Sequence, residues 1–140
     1  RLAGYRQAMH AHGFTEEELL IYEVPQHKGS VEEGVIRRLQ SGRLPDAILS
    51  TNNMMTLEII EAIRKSGLTI PGDIALIGYD ETVWAKHLNP PLTTVKQPGY
   101  EMGHIAAKKL IKMINAKRRL KPETVVLAPQ LIRRSSCGST

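Results

Sequence analysis

Apolar residues recur along this chain with two periods. Spacings of three and four predict helices, and short continuous runs predict strands buried on both faces. Leu2, Tyr5, Met9 and His12 share one face of a helix over 2–12, which Gly13 stops. Leu19 to Val24 is a candidate strand, ended by Pro25. Ser30, followed three residues later by Glu33, has the spacing of a capping box. The helix after it turns Val31, Val35, Ile36 and Leu39 toward a core and closes at Gly42. Asp46 to Thr51 is a second buried strand with Ala47-Ile48-Leu49 at its centre. A helix over 53–66 carries Met55, Ile59, Ala62 and Ile63 on one face, flanked by Leu57 and Ile60, and Gly67 ends it. Strands over 74–79 and 93–95 follow. A helix over 100–115 sets Met102, Ala106, Leu110, Met113 and Ile114 in register, and strands over 124–127 and 131–134 finish the chain.

Alternation of strand and helix implies an α/β fold: a Rossmann-like, mostly parallel sheet with right-handed crossovers and helices on both faces. Its core is expected to include Ile48, Leu49, Ile59, Ile63, Leu76, Ile77, Ala106 and Leu110.

Composition narrows the function classes. A chain of 140 residues with 41% hydrophobic and 24% charged content has enough apolar surface for one real core. The net charge of +5 comes from scattered Lys and Arg. The one basic cluster, Lys117-Arg118-Arg119-Leu120-Lys121, falls between a helix and a strand and reads as a solvated loop. Aromatics at 4% provide no stacking platform for single-stranded nucleic acid. A single cysteine, Cys137, excludes an internal disulfide framework and a cysteine-based metal cluster. It sits in the polar tail 135–140, which is expected to fray. No apolar run has the length of a membrane span, and no signal peptide is visible. Arg1 already falls inside a helical pattern and no Met precedes it, so the chain reads as a fragment whose amino-terminal part is missing.

The chemistry present is that of binding. There is no glycine-rich phosphate loop and no Gly-x-Ser-x-Gly elbow. His10, His12, His27, His87 and His104 do not form a metal signature, and no nucleophile is paired with a base. An enzyme is therefore not expected, nor is a metal or cofactor. What remains is polar groups at strand ends. Asn52 and Asn53 follow one predicted parallel strand, and Asp80 and Glu81 follow the next. Ligands of open α/β sheets bind beyond the carboxyl ends of strands. An amide that donates and accepts, beside a carboxylate that accepts, suits sugar-like hydroxyls. The same residues have plainer readings: Asp80 can simply begin a turn, and Asn52-Asn53 can cap the helix that follows. Trp84, in the loop after Asp80, reads equally as a lid, an interface anchor or ordinary loop packing.

Five stretches then match one pattern in order and spacing. They are Arg1-Leu2-Ala3-Gly4-Tyr5, 45–55 from Pro45 to Met55, 70–81 from Ile70 to Glu81, 90–98 from Pro90 to Pro98, and 131–136 from Leu131 to Ser136. Together they closely resemble the effector-binding region of lactose-repressor/galactose-repressor (LacI/GalR) transcription regulators, over essentially the whole chain. The resemblance implies a periplasmic-binding-protein-like type I fold, with two α/β subdomains around a ligand cleft and a helix-turn-helix headpiece for operator DNA. The chain corresponds to most of the carboxyl-terminal subdomain (about 1–95), a hinge crossover (96–98) and a returning helix and strands (99–136). The headpiece and half of the cleft lie outside it.

By the same resemblance, Arg1, Asn52, Asp80 and Gln97 match effector-binding positions of the family. Two departures bear on the effector. Asn53 stands where Asp is usual, and Gly29 stands where some members place an aromatic against the sugar. A sugar, a sugar acid and a sugar phosphate all remain open. The implied protein is a cytoplasmic, sugar-responsive regulator whose effector changes operator binding. The alternative is a periplasmic sugar-binding protein that feeds an ABC transporter. A homodimer is expected, burying Leu57, Ile60 and Trp84, because the 53–66 helix carries a wider apolar stripe than one core face needs.

Overall fold

The computed structural model describes residues 1–25, 27, 29–42, 44–116 and 121–138. Most of the basic cluster, Lys117 to Leu120, lies outside the described residues. In chain order the elements are helix α1 (Leu2–Ala11), α2 (Ser30–Gln40), strand β1 (Ala47–Leu49), α3 (Asn53–Lys65), β2 (Ala75–Tyr79), β3 (Thr93–Lys96), α4 (Gly99–Asn115) and β4 (Gln130–Ile132), with 3-10 turns at Glu16–Glu18, Ala85–His87 and Ser135–Cys137. The sheet runs β1-β2-β3-β4. β1 pairs β2 and β2 pairs β3 in parallel, whereas the returning β4 pairs β3 antiparallel.

Side-chain alternation along β2 divides its two faces. Leu76 and Gly78 are buried toward α3, while Ala75, Ile77 and Tyr79 on the other face are half-buried. Gly78 has a steric reason: a Cβ there would lie 2.9 Å from the Leu92 side chain and 3.4 Å from that of Thr56 on α3. The core gathers on this side from Val31, Val35 and Leu39 of α2, Ile59, Ala62 and Ile63 of α3, and Ile74, Leu76, Ala85 and Leu92. Two helices packed on one sheet face bury a continuous apolar layer, which supplies most of the folding free energy.

The first turn of α2 is capped from outside its own sequence. Gly29, in the left-handed conformation at φ 84°, precedes the helix, and Ser30 is its first residue rather than its cap. The Glu58 carboxylate of α3 accepts from the backbone N–H of Val31 (3.1 Å) and Glu32 (3.2 Å). Ser30 instead donates its hydroxyl to the His27 carbonyl at 2.7 Å. A carboxylate at a helix amino terminus meets both unpaired N–H groups and the positive end of the dipole.

Several expectations are corrected. Residues 19–24 pair with no strand: Leu19 is buried, but Leu20, Ile21 and Tyr22 are exposed. The apolar run is there, yet a strand also needs a ladder partner. Residues 124–127 are likewise unpaired, and only 130–132 of the late segment joins the sheet. Of the expected core, Ile59, Ile63 and Leu76 are buried, Ile48 and Ile77 are half-buried, and Leu49, Ala106 and Leu110 are exposed. α1 and α4 contain no buried residue at all. The tail does not fray where it is described. Ser136 is buried, donating to the Leu76 carbonyl (2.6 Å) and accepting from the Thr93 N–H (2.8 Å). Its hydroxyl thus bridges β2 and β3 just below their first paired residues, Ile77 and Thr93.

Candidate functional site

β1 and β2 are parallel and in register, with Leu49 opposite Ile77, so the residues that leave them emerge on one edge of the sheet. The Ser50 N–H still donates to the Ile77 carbonyl at 3.0 Å, which carries the pairing up to that edge. Asn52 then caps α3, its amide oxygen accepting from the Met55 N–H at 2.8 Å. The Thr56 hydroxyl and N–H both donate to the Asn52 carbonyl, at 2.8 and 3.1 Å. The capping oxygen is committed to the helix, so what Asn52 offers a ligand is its amide nitrogen.

Asp80 leaves β2 with φ 74°, the one positive φ outside glycine among the described residues. Asp is among the few residue types that tolerate this conformation. Its N–H donates to the Val95 carbonyl at 3.0 Å, and its carboxylate accepts from the amide of Gln97, which directly follows β3. Arg1 reaches the same rim: its guanidinium donates to the Thr51 carbonyl and lies 3.8 Å above the centre of the Tyr79 ring, a cation–π contact. Arg1, Thr51, Asn52, Tyr79, Asp80 and Gln97 therefore line one edge, with donors, an acceptor and an aromatic face side by side.

Two features were not anticipated. Tyr79 is one; it also borders a groove of about 460 Å³ with Gln97, Pro98 and Met102. The second is an ion pair next to Asp80. Arg134 grips Glu81 with both prongs, Nη2 to Oε1 at 2.6 Å and Nη1 to Oε2 at 3.0 Å, and Nη1 also donates to the Leu92 carbonyl at 2.7 Å. The Thr94 hydroxyl donates to the same carboxylate. The Arg134 hydrogen bonds hold the Glu81 carboxyl below its ordinary value against the opposing effect of burial, and Glu81 raises the Arg134 guanidinium in turn. The partners are 53 residues apart, so no local pattern announces them.

The three residues expected at an interface fall in different settings. Leu57 is 36% exposed, whereas Ile60 and Trp84 are half-buried against the core. Ile60 also lines a small cavity of about 40 Å³ with Ile70, Leu88 and Pro90. The exposed large apolar groups nearby are Met54, one turn before Leu57, and Val83, beside Trp84. Among the described residues there is no group of three or more His, Cys, Asp or Glu able to hold a metal ion, and no helix is long and apolar enough to cross a membrane.

The family profile described as "Periplasmic binding protein-like domain" matches residues 1–137. The chain belongs to that family. It is 36% identical over 141 residues to the HTH-type transcriptional regulator DegA of Bacillus subtilis (strain 168), covering 97% of this chain and 40% of DegA. Among solved structures, a putative LacI-family transcriptional regulator from Sanguibacter keddieii DSM 10542 superposes with a TM-score of 0.88 at 28% identity, covering 99% of this chain and 52% of the other. A complex of the transcriptional regulator CelR with cellobiose superposes with a TM-score of 0.85 at 32% identity, covering 96% of this chain and 41% of CelR. This periplasmic-binding-protein-like chain thus spans about 40% of the length of its curated relative DegA. Its resemblance to LacI-type regulators stands, and these relatives favour a regulator over a transporter's binding protein.

Proposed function

We propose that this chain is most of the carboxyl-terminal subdomain, with the returning helix and strands, of the effector-sensing unit of a cytoplasmic LacI-type transcriptional regulator, not an enzyme. The observation that carries the proposal is the pairing of Asp80 with Gln97 on the edge where Asn52 and Arg1 also stand. A carboxylate acceptor beside amide and guanidinium donors matches a hydroxyl-rich ligand, and the CelR structure with cellobiose supports a sugar. A sugar acid or sugar phosphate would add an anion for Arg1.

The division of labour follows the two settings of the chain. Residues 1–95 form most of one subdomain, 96–98 the crossover, and 99–136 the return. The exposed apolar residues of α4 and of 125–126 support a second subdomain packed over them in the parent protein. Effector held between the subdomains would bias their closure by its differential affinity for the open and closed states. That bias would reach operator DNA through a headpiece not in this chain. A two-fold homodimer would bury Met54 and Leu57, with Ile60 and Trp84 supporting that surface from beneath.

Calorimetric titration of the full natural chain with cellobiose, gluconate and glucose 6-phosphate tests the reading. Asp80→Ala should weaken the bound sugar by about 1–3 kcal/mol, the usual cost of losing a charged hydrogen bond. Unchanged affinity, or no binding of any of the three to the unaltered chain, refutes it.

A further inference from the structure

We infer that Glu81, held by Arg134, is a positioning residue that fixes the Asp80 carboxylate at the rim; the inference rests on the effector reading of that rim.

Asp80 holds a left-handed backbone, φ 74°, which Asp tolerates at some cost and which its surroundings therefore help to hold. Its own supports are few and come from one direction: the Val95 carbonyl and the Gln97 amide, on β3 and its exit. The next residue is far more heavily tied. Glu81 receives both prongs of Arg134 and the Thr94 hydroxyl, and the pair is only 17% and 21% exposed on the Arg134 and Glu81 sides.

Arg134 is itself anchored at both ends. Its guanidinium donates to the Leu92 carbonyl, while its backbone N–H donates to the buried Thr93 hydroxyl and its carbonyl accepts from the same hydroxyl, each at 2.8 Å. The clamp therefore joins β3 to the residue after Asp80 through a planar fork with little freedom. With Glu81 pinned on one side and the Val95 bond on the other, the peptide turn that aims Asp80 has both flanks fixed. Charge matters as well as geometry. Arg134 cancels the charge of Glu81, so Asp80 adjoins a neutral pair rather than a second anion.

The test compares Glu81→Gln, Arg134→Lys, Asp80→Asn and the double variant Glu81→Gln with Asp80→Asn in the full natural chain. The first readout needs no ligand: the side-chain amide resonances of Gln97, which report its bond to Asp80. Glu81→Gln should move them toward their position in Asp80→Asn, and Arg134→Lys, which keeps the charge but loses the fork, should move them part of the way. The second readout is the dissociation constant for cellobiose, gluconate or glucose 6-phosphate. Glu81→Gln should weaken binding about tenfold, and the double variant should bind no worse than Asp80→Asn, the non-additivity of residues acting through one another. Gln97 resonances unchanged in both Glu81→Gln and Arg134→Lys, or losses that simply add while the melting temperature falls, would make the pair an ordinary structural brace and overturn the inference. If Glu81→Gln does not fold, Arg134→Lys decides alone by the same readouts. Failure of all three sugars to bind the unaltered chain refutes the proposed function, and the Gln97 resonances still decide whether Glu81 positions Asp80.

Discussion

α3 and α4 have nearly the same apolar spacing and opposite fates. α3 buries Thr56, Ile59, Ala62 and Ile63 against the sheet and α2. α4 is longer, is equally amphipathic in sequence, and buries nothing. Leu110 is 58% exposed and Ile114 72%. The comparison teaches that an amphipathic stripe announces the need for a partner without naming it. For α3 the partner is encoded nearby, in β2 and α2. For α4 the groove brings together, among the described residues, the irregular stretch 123–129 and Tyr79 at the end of β2, and neither buries it.

The contrast can be broken most forcefully in the cores themselves. Leu76→Ala should cost about 2–5 kcal/mol by chemical denaturation, as buried leucines do. Leu110→Ala in the same 140-residue chain should change stability by less than about 0.5 kcal/mol, the ordinary surface range. Comparable losses at the two sites would erase the distinction. In the full natural chain Leu110→Ala should become costly, if a second subdomain covers α4.

Next in size is the Glu81–Arg134 clamp. Glu81→Gln should lower stability by about 1–3 kcal/mol at neutral pH, by breaking a charged hydrogen-bonded pair. The folded carboxyl lies below its unfolded value, so this contribution is fully present above the unfolded value of about 4.3 and disappears as pH falls through the folded one. Melting curves of the two proteins should therefore differ by a constant amount from neutral pH down to about 5, draw together below the unfolded value and converge only below the folded one. A difference that persists unchanged into strong acid would contradict the ionic origin.

The cap at the start of α3 should matter less. Asn52→Ala removes the acceptor for Met55 and should cost about 1 kcal/mol, with Asn52→Asp near neutral. Equal stability of Asn52→Ala would show that the cap is dispensable and leave only the proposed effector contact for this residue. The smallest effect belongs to α4. Lys109 reaches the Glu123 carboxylate at 3.1 Å across the groove, and Lys109→Ala should change stability by no more than about 0.5 kcal/mol, as most surface ion pairs do. A larger loss would mean that α4 is more firmly joined to 123–129 than its exposure indicates.

The chain's own pattern determined much of this protein. The alternating elements and the buried faces of α2 and α3 follow from local periodicity and turn chemistry, and the strand–helix–strand alternation then implies parallel strands and puts Asn52 and Asp80 at one edge. Tertiary structure decided the rest. Residues 19–24 look like a strand but find no ladder, since pairing depends on a distant edge. Glu58 displaced Ser30 as the cap of α2 from a different helix. Ser136 became buried because its hydroxyl completes a gap between β2 and β3, although a run of Ser, Cys and Gly reads as a loose end. Arg134 met Glu81 only because β4 returns antiparallel beside β3 and brings the end of the chain under the rim. Hydrogen bonds and charges of this kind are set by side chains that the fold juxtaposes, and periodicity carries no record of them.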